Sequence, residues 1–323
     1  MAENDVRYSW QLLRAGEFRL DGGSMFGLVP RVVWSRSVTP DERGRIRVQH
    51  NCLLLRRVGE GDGPRTVLIE TGSGDKLDPK SKEIFALEDR SVLSALAEVK
   101  CDPGAIDAVF VSHLHFDHAG GLTRQLRPGE EPDWVGPGSA GESRVKRTFP
   151  NAKVYVQQRE WHDGLANRSV MTRTYFRDHI EPLQPQLVLL DSPRPFPSGY
   201  QPDRDEKPAS PALLRATHPI PGVGVFLVPG HTWGQQAVTF TDDQGRRVVF
   251  TPDVMPTTQH LGAAYSLGYD VEPYTSMISR TWLLDEAARG NWLLVLDHEP
   301  GNPCVRVKPS PKGWFELIPE PGF

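Results

Sequence analysis

Residues 113–118 read HLHFDH, so three of the chain's ten histidines and one aspartate fall within six positions, directly after the mostly apolar run Ala108–Ser112. In an extended segment side chains alternate, so His113 and His115 project to one side, where two imidazoles can hold one metal ion. Asp117 and His118 require the chain to turn, and Gly120 and Gly121 in HAGGLT supply that turn, leaving the adjacent pair to face a second ion. Chance seldom produces this pattern of residue types, and metal binding is the reading that any fold must accommodate.

Four ligands do not complete two ion sites, so His, Asp or Glu at the ends of other strands must contribute. Three positions qualify: His231 in PGHTWGQQ after the strand-like VGVFLVPG, Asp253 after RRVVFTP, and His298 after NWLLVLD. Each lies at the C-terminal end of an apolar run, where α/β proteins gather their chemistry.

Short apolar runs bounded by Gly, Pro and Asp recur at 52–55, 66–69, 108–111, 153–156, 187–190, 223–228, 237–240, 247–250 and 292–296, and they predict strands, several buried on both faces. Helical spacing marks 90–99 and 274–288, so the chain is α/β or α+β. Two stretches read as surface insertions able to hold neither a helix nor a central strand: 127–147, with four Gly and three Pro, and 192–211, with six Pro. No repeat or domain boundary is visible, which makes residues 1–323 one domain with loop insertions near those two stretches.

A formal net charge of −4 gives no overall attraction for nucleic acid or an anionic membrane. Cys52, Cys101 and Cys304 form no CxxC pair, which argues against a disulfide framework and for a reducing compartment. An N-terminus with acids in its first five residues and no apolar core, together with the absence of a long apolar segment, predicts a cytoplasmic protein.

HLHFDH followed by His231 in GHTWGQQ, Asp253 and His298 resembles the metallo-β-lactamase superfamily over nearly the whole chain. The segments LDGGSMFGLVPRVVW, ETGSGD, FPNAKVYVQQREW and YDVEP are similar to the branch holding quorum-quenching N-acyl homoserine lactonases and methyl parathion hydrolase. The resemblance implies a four-layer αββα sandwich. It also implies that His113, His115 and His231 bind one metal ion, that Asp117, His118 and His298 bind the other, and that Asp253 bridges them. Two departures stand out: Glu70 replaces the usual Asp of the DTG turn, and Pro252 precedes Asp253 where Gly is more usual.

Such a site, with two carboxylates and five neutral imidazoles around two divalent ions and a hydroxide, carries a net charge of roughly +1, which favours hydrolysis. Asp117 would double as the general acid toward the leaving alkoxide, so Asp117 and Asp253 are the catalytic candidates. The N/O donor set suits zinc and also admits manganese, iron or cobalt. Lactonases of the family often place a tyrosine near the substrate carbonyl shortly after the bridging aspartate. Position 256 is Pro here, which leaves Tyr265 and Tyr269, with His260 as a further donor and Trp161, Trp233 and Phe26 as an apolar wall. The expected partner is a small apolar lactone or ester, N-acyl homoserine lactones among them; a homodimer is compatible, and neither nucleic acid nor membrane is expected. Phosphotriester hydrolysis and an iron-dependent redox activity are the alternative readings. A β-lactamase of the Cys-ligand type and an RNA-processing enzyme fit less well, and a non-catalytic metal-binding protein is the plain alternative.

Overall fold

Apolar runs lacking a polar face belong to strands covered on both sides, and that covering organises the molecule. A computed structural model describes residues 6–138, 141–171, 173–197, 200, 202–203 and 205–323; the acidic start at residues 1–5 lies outside the described residues. One mixed sheet contains β1 (Tyr8–Asp21), β2 (Arg45–Arg57), β3 (Thr66–Ile69), β4 (Ala108–Phe110), β8 (Lys153–Gln157) and β9 (Leu187–Leu190), in that spatial order. A small antiparallel sheet is built from β5 (Thr123–Gln125), β6 (Trp134–Gly138) and β7 (Gly141–Arg147), with β7 in the middle. The second large sheet runs β10 (Thr217–Ile220), β11 (Val223–Leu227), β12 (Gln236–Thr241), β13 (Arg247–Thr251), β14 (Leu293–Leu296), β15 (Cys304–Pro309) and β16 (Phe315–Pro319).

Alternate residues along these strands serve different layers. Leu53, Leu55, Val67, Ile69 and Phe110 of the first large sheet pack against Val225, Val238, Phe240, Phe250 and Val295 of the second. Their neighbours Leu54, Leu68 and Val109 face Val92, Ala95 and Leu96 of the helix Val92–Glu98. On the far side Phe226, Val249, Leu294 and Leu296 meet Trp282, Leu283 and Ala287 of the helix Pro273–Gly290. Period-two burial on both faces of two sheets thus yields the four-layer αββα sandwich.

The nine predicted strands and both helices are present at their places, but β1 was not legible. Its polar residues Gln11, Arg14, Glu17 and Arg19 interrupt the apolar run: Arg14 bonds to Asn51 and to the Glu299 and Gly301 carbonyls, and Arg19 lines a cavity. The expectation for 127–147 is corrected, since this stretch carries β6 and the central strand β7. Pro137 is tolerated because β6 is an edge, and Val145 of β7 is buried. Residues 139–140 there lie outside the described residues, as do 198–199, 201 and 204 of the second insertion, whose described residues hold no helix or strand. The three cysteines are buried and unpaired, and no helix is long and apolar enough to cross a membrane among the described residues.

Candidate metal centre and substrate cavity

The chain leaves β4 through His113 and His115 and then makes one helical turn, Phe116–Ala119, which Gly120 and Gly121 close as the start of a 3₁₀ turn, Gly120–Leu122. Asp117 and His118 sit on the helical turn. Gly120 and Gly121 also serve packing: a Cβ on Gly120 would lie 2.2 Å from the Ser73 carbonyl oxygen and one on Gly121 2.2 Å from that of Thr71, so they let this segment press against the loop after β3. Gly230 plays the same part for His231, since a Cβ there would meet the backbone nitrogen of Ser276 at 2.2 Å.

Four strand ends deliver their side chains to one place. His113, His115, His231 and Asp253 form one buried group of candidate metal-ligand atoms, and His118, Asp253, Asp297 and His298 form another, so Asp253 belongs to both. Its Oδ2 lies 3.0 Å from His231 Nε2, 3.7 Å from His113 Nε2 and 3.5 Å from His118 Nε2, while Oδ1 lies 3.4 Å from His298 Nε2. His115 Nδ1 is 3.0 Å from His231 Nε2, and His118 Nε2 is 3.2 Å from His298 Nε2. Bonds of ~2.1 Å to a tetrahedral ion place ligand atoms roughly 3.4 Å apart, which matches these separations. Asp117 stands at the margin of the second group, 3.6 Å from His298 Nε2 and 3.9 Å from His118 Nε2.

The fit to metal ions can be judged from atoms that the protein leaves unsatisfied. His113 Nε2, Asp253 Oδ1 and both Asp297 oxygens are buried with no hydrogen-bond partner among the described residues. Buried polar atoms are nearly always paired, so a convergence of orphaned nitrogens and carboxylate oxygens fits a cation shared between them.

Charges in the metal-free site are distributed unevenly. Burial, reinforced by neighbouring imidazoles, drives His113 and His115 well below the usual histidine range. Burial opposes protonation of His231 as well, but Asp253 and Asp270 outweigh it and push its pKa up to about 10. At His118 burial is overcome in the same way by Asp117 and Glu70. Asp253 resists the upward pull of burial because His231 and His298 hold it well below the carboxylate range, whereas burial and the charge of Asp253 push Asp297 well above it.

A second ring of contacts fixes the imidazoles. Asp270 Oδ1 lies 2.9 Å from His231 Nδ1, the Gln49 carbonyl 2.9 Å from His298 Nδ1, and Glu70 Oε2 3.3 Å from His118 Nδ1. Glu70 also accepts from the Ser112 backbone N–H at 2.6 Å and holds a left-handed φ of 68°, so this departure from the family pattern positions the histidine segment. Glu160, fully buried, accepts from the Leu114 N–H, the Tyr175 hydroxyl and the Thr232 hydroxyl, which ties the HLHFDH segment to the His231 loop. The sequence reading missed Asp270, Glu160 and Asp297. Each had a signal that went unused: Asp270 lies in YDVEP and Glu160 in FPNAKVYVQQREW, and Asp297 is an acid abutting His298 at the end of an apolar strand. Replacing Asp270 by Asn is expected to weaken the first-group ion about 10–100-fold, measured by competition with a chromophoric chelator, with unchanged circular dichroism.

The site opens into a cavity of about 320 Å³ whose wall includes His115, Asp117, His231 and Asp253 beside Leu20, Met25, Phe85, Phe116, Leu267 and Tyr269, with Arg19 and Arg173 also on it. Of the residues expected to touch substrate, Tyr269 lines this cavity and the others do not. Trp161 is core, packed among the first-layer residues. Phe26 is stacked between Trp34 and His260 at centroid distances of 5.2 and 5.1 Å and meets Tyr265 edge-on, so these rings form a backing layer behind the wall. His260 spends both ring nitrogens on the Thr257 hydroxyl and the Met25 carbonyl, and burial pushes its pKa down to about 3. Trp233 lies under the Arg159 guanidinium in a separate small cleft.

Comparison with known proteins places this arrangement. A probable metal-dependent hydrolase from Staphylococcus aureus superposes with a TM-score of 0.73 at 24% identity, covering 100% of both chains. The dizinc quorum-quenching lactonase AidC, in complex with a product N-acyl homoserine, gives 0.68 at 18% identity over 99% of this chain and 96% of that one. A hydrolase in the beta-lactamase superfamily, AbOPH, gives 0.66 at 16% identity over 99% of both chains. At these identities the likeness establishes the fold, and no curated protein matches the sequence. The model of the metallo-beta-lactamase superfamily matches residues 45–298, a span that begins at β2 and ends on the last histidine of the second ligand group. The family match, the αββα layers and the converging His/Asp groups agree: the chain belongs to the metallo-beta-lactamase superfamily of metal-dependent hydrolases.

Proposed function

We propose that this protein is a dinuclear metal hydrolase that opens a lactone or cleaves a carboxylic ester, with N-acyl homoserine lactones the first substrates to try. The observation that carries the reading is the sharing of Asp253 between two ligand groups on the wall of a largely apolar cavity. His113, His115 and His231 would hold one ion, His118, His298 and Asp117 the other, with Asp253 between them. Zinc is the foremost candidate, and manganese, iron and cobalt suit the same donors. Two such ions supply an activated water and Lewis-acid polarisation of the scissile carbonyl.

The chain's own groups do the rest. Leu20, Met25, Phe85, Phe116 and Leu267 receive an acyl chain and exclude water from it. Tyr269, held protonated by burial, donates a hydrogen bond to the acyl oxygen. Asp117, on the cavity wall, would take up the proton lost by the attacking water and pass it to the leaving alkoxide. The dizinc lactonase with product bound supports the substrate class, because its fold is shared over nearly the full length of both chains.

The test is a panel of metal-loaded kinetics on N-hexanoyl homoserine lactone, simple lactones, p-nitrophenyl esters and paraoxon, with oxygen uptake followed in parallel. Turnover of lactones or esters is expected to dominate. No turnover of either would defeat the proposal; faster paraoxon cleavage would transfer the site to phosphotriesters, and oxygen uptake to redox chemistry.

Metal loading carries its own signature. Ligation requires neutral imidazoles, and His118 and His231 are held protonated above neutrality in the metal-free site. Metal uptake at pH 7.5 is therefore expected to release at least about two protons per chain, and apparent affinity rises with pH. Calorimetry in two buffers of different ionisation enthalpy measures the number.

A further inference from the structure

We infer that Asp297 is an additional carboxylate ligand of the second ion, which makes that site oxygen-rich and harder than its neighbour. The inference rests on the dinuclear reading above. Asp297 follows the last residue of β14 and is pinned by its backbone: its N–H donates to the Thr251 carbonyl at 3.2 Å, and its carbonyl accepts from the Asn51 N–H at 2.9 Å. The residue is 1% exposed, and neither carboxylate oxygen has a hydrogen-bond partner among the described residues. Buried polar atoms are nearly always paired, so two orphaned carboxylate oxygens at one point mark a place that a shared cation would satisfy. One of its oxygens belongs to a group with His118, Asp253 and His298 whose ligand atoms lie within 4.8 Å of one another. Asp117 reaches the same region from the cavity wall, whereas Asp297 does not line the cavity.

The two sites then differ in kind. The first offers three imidazoles and one carboxylate, a set suited to zinc. The second offers His118 and His298 with Asp117, Asp253 and Asp297, a donor set better matched to manganese or iron and to a higher coordination number. Asp253 is common to both, so the asymmetry comes from Asp117 and Asp297.

The experiment starts from protein stripped with chelator and reloaded with one equivalent of zinc and then with manganese(II), the free manganese being followed by electron paramagnetic resonance. Wild type is expected to take up the second ion, and Asp297→Asn, which keeps the shape of the side chain, to bind it roughly 10–100-fold more weakly. Cadmium-113 resonance on the unaltered protein gives a reading independent of any variant. Two signals are expected, the oxygen-rich one upfield. Fewer than two ions on wild type would overturn the dinuclear reading and this inference with it. Two ions on wild type with unchanged manganese affinity in Asp297→Asn, or two cadmium signals of the same nitrogen-rich type, would overturn the inference alone.

Discussion

Asp253→Ala is expected to purify with well under two metal ions per chain and to lose hydrolysis by at least ~10³-fold. The carboxylate has three histidine nitrogens within 3.0 to 3.7 Å of Oδ2 and a fourth 3.4 Å from Oδ1, drawn from both ligand groups, so one substitution empties two sites. The loss should exceed that of any single histidine, which serves only one group. Elemental analysis and kcat/KM on the best substrate of the panel measure it, with chelator-treated wild type as the reference for folding. Retention of two ions with turnover within tenfold of wild type would remove Asp253 from its shared position. Stability should fall as well in the metal-free state, because His231 is held protonated chiefly by Asp253 and the removal leaves that buried charge with Asp270 alone.

Asp117→Asn separates chemistry from assembly. The side chain lies on the cavity wall, farther from the histidine nitrogens than Asp253 is, at 3.6 and 3.9 Å. An amide preserves its size and cannot deliver a proton. Turnover is expected to fall about 10²–10⁴-fold, roughly 3–5 kcal/mol of barrier, with the fold intact. The decisive comparison uses leaving groups: a p-nitrophenolate departs without protonation, so aryl esters should suffer less than alkyl lactones. An equal loss on both would show that Asp117 acts through the metal and not through its proton.

Much of the architecture could be read before any coordinates, for a local reason. In β2, β4 and β13 every residue of the central stretch faces one core or another, so the apolar runs declare strands buried twice over, and twice-buried strands in number imply stacked sheets. The histidine segment was legible because its donors are neighbours in the chain. The wall of the cavity was not. It is assembled from β1, the short helix Gly22–Phe26, Ile84, Phe85, Met171, Arg173, Thr174, Leu267 and Tyr269, and none of these segments carries a periodicity that names its partner. Phe26, Tyr265, His260 and Trp161 illustrate the difficulty, since an aromatic near a loop has the same local pattern whether it faces a cavity or stands one layer behind it.

The residues able to bind metal, and the ends of the strands that present them, follow from the amino-acid order, because alternation along a strand and the turn after it act over a few residues. Which side chains orient those donors was settled only when the sheets closed: Asp270 meets His231 across 39 residues, Glu160 meets Thr232 across 72, and the Gln49 carbonyl meets His298 across 249. Hydrogen bonds of that span depend on the crossing of loops from different layers, and no pattern within a single segment encodes the crossing. Asp297 belongs to both descriptions, since its place beside His298 is written in the chain while the emptiness around its two oxygens exists only in the folded interior.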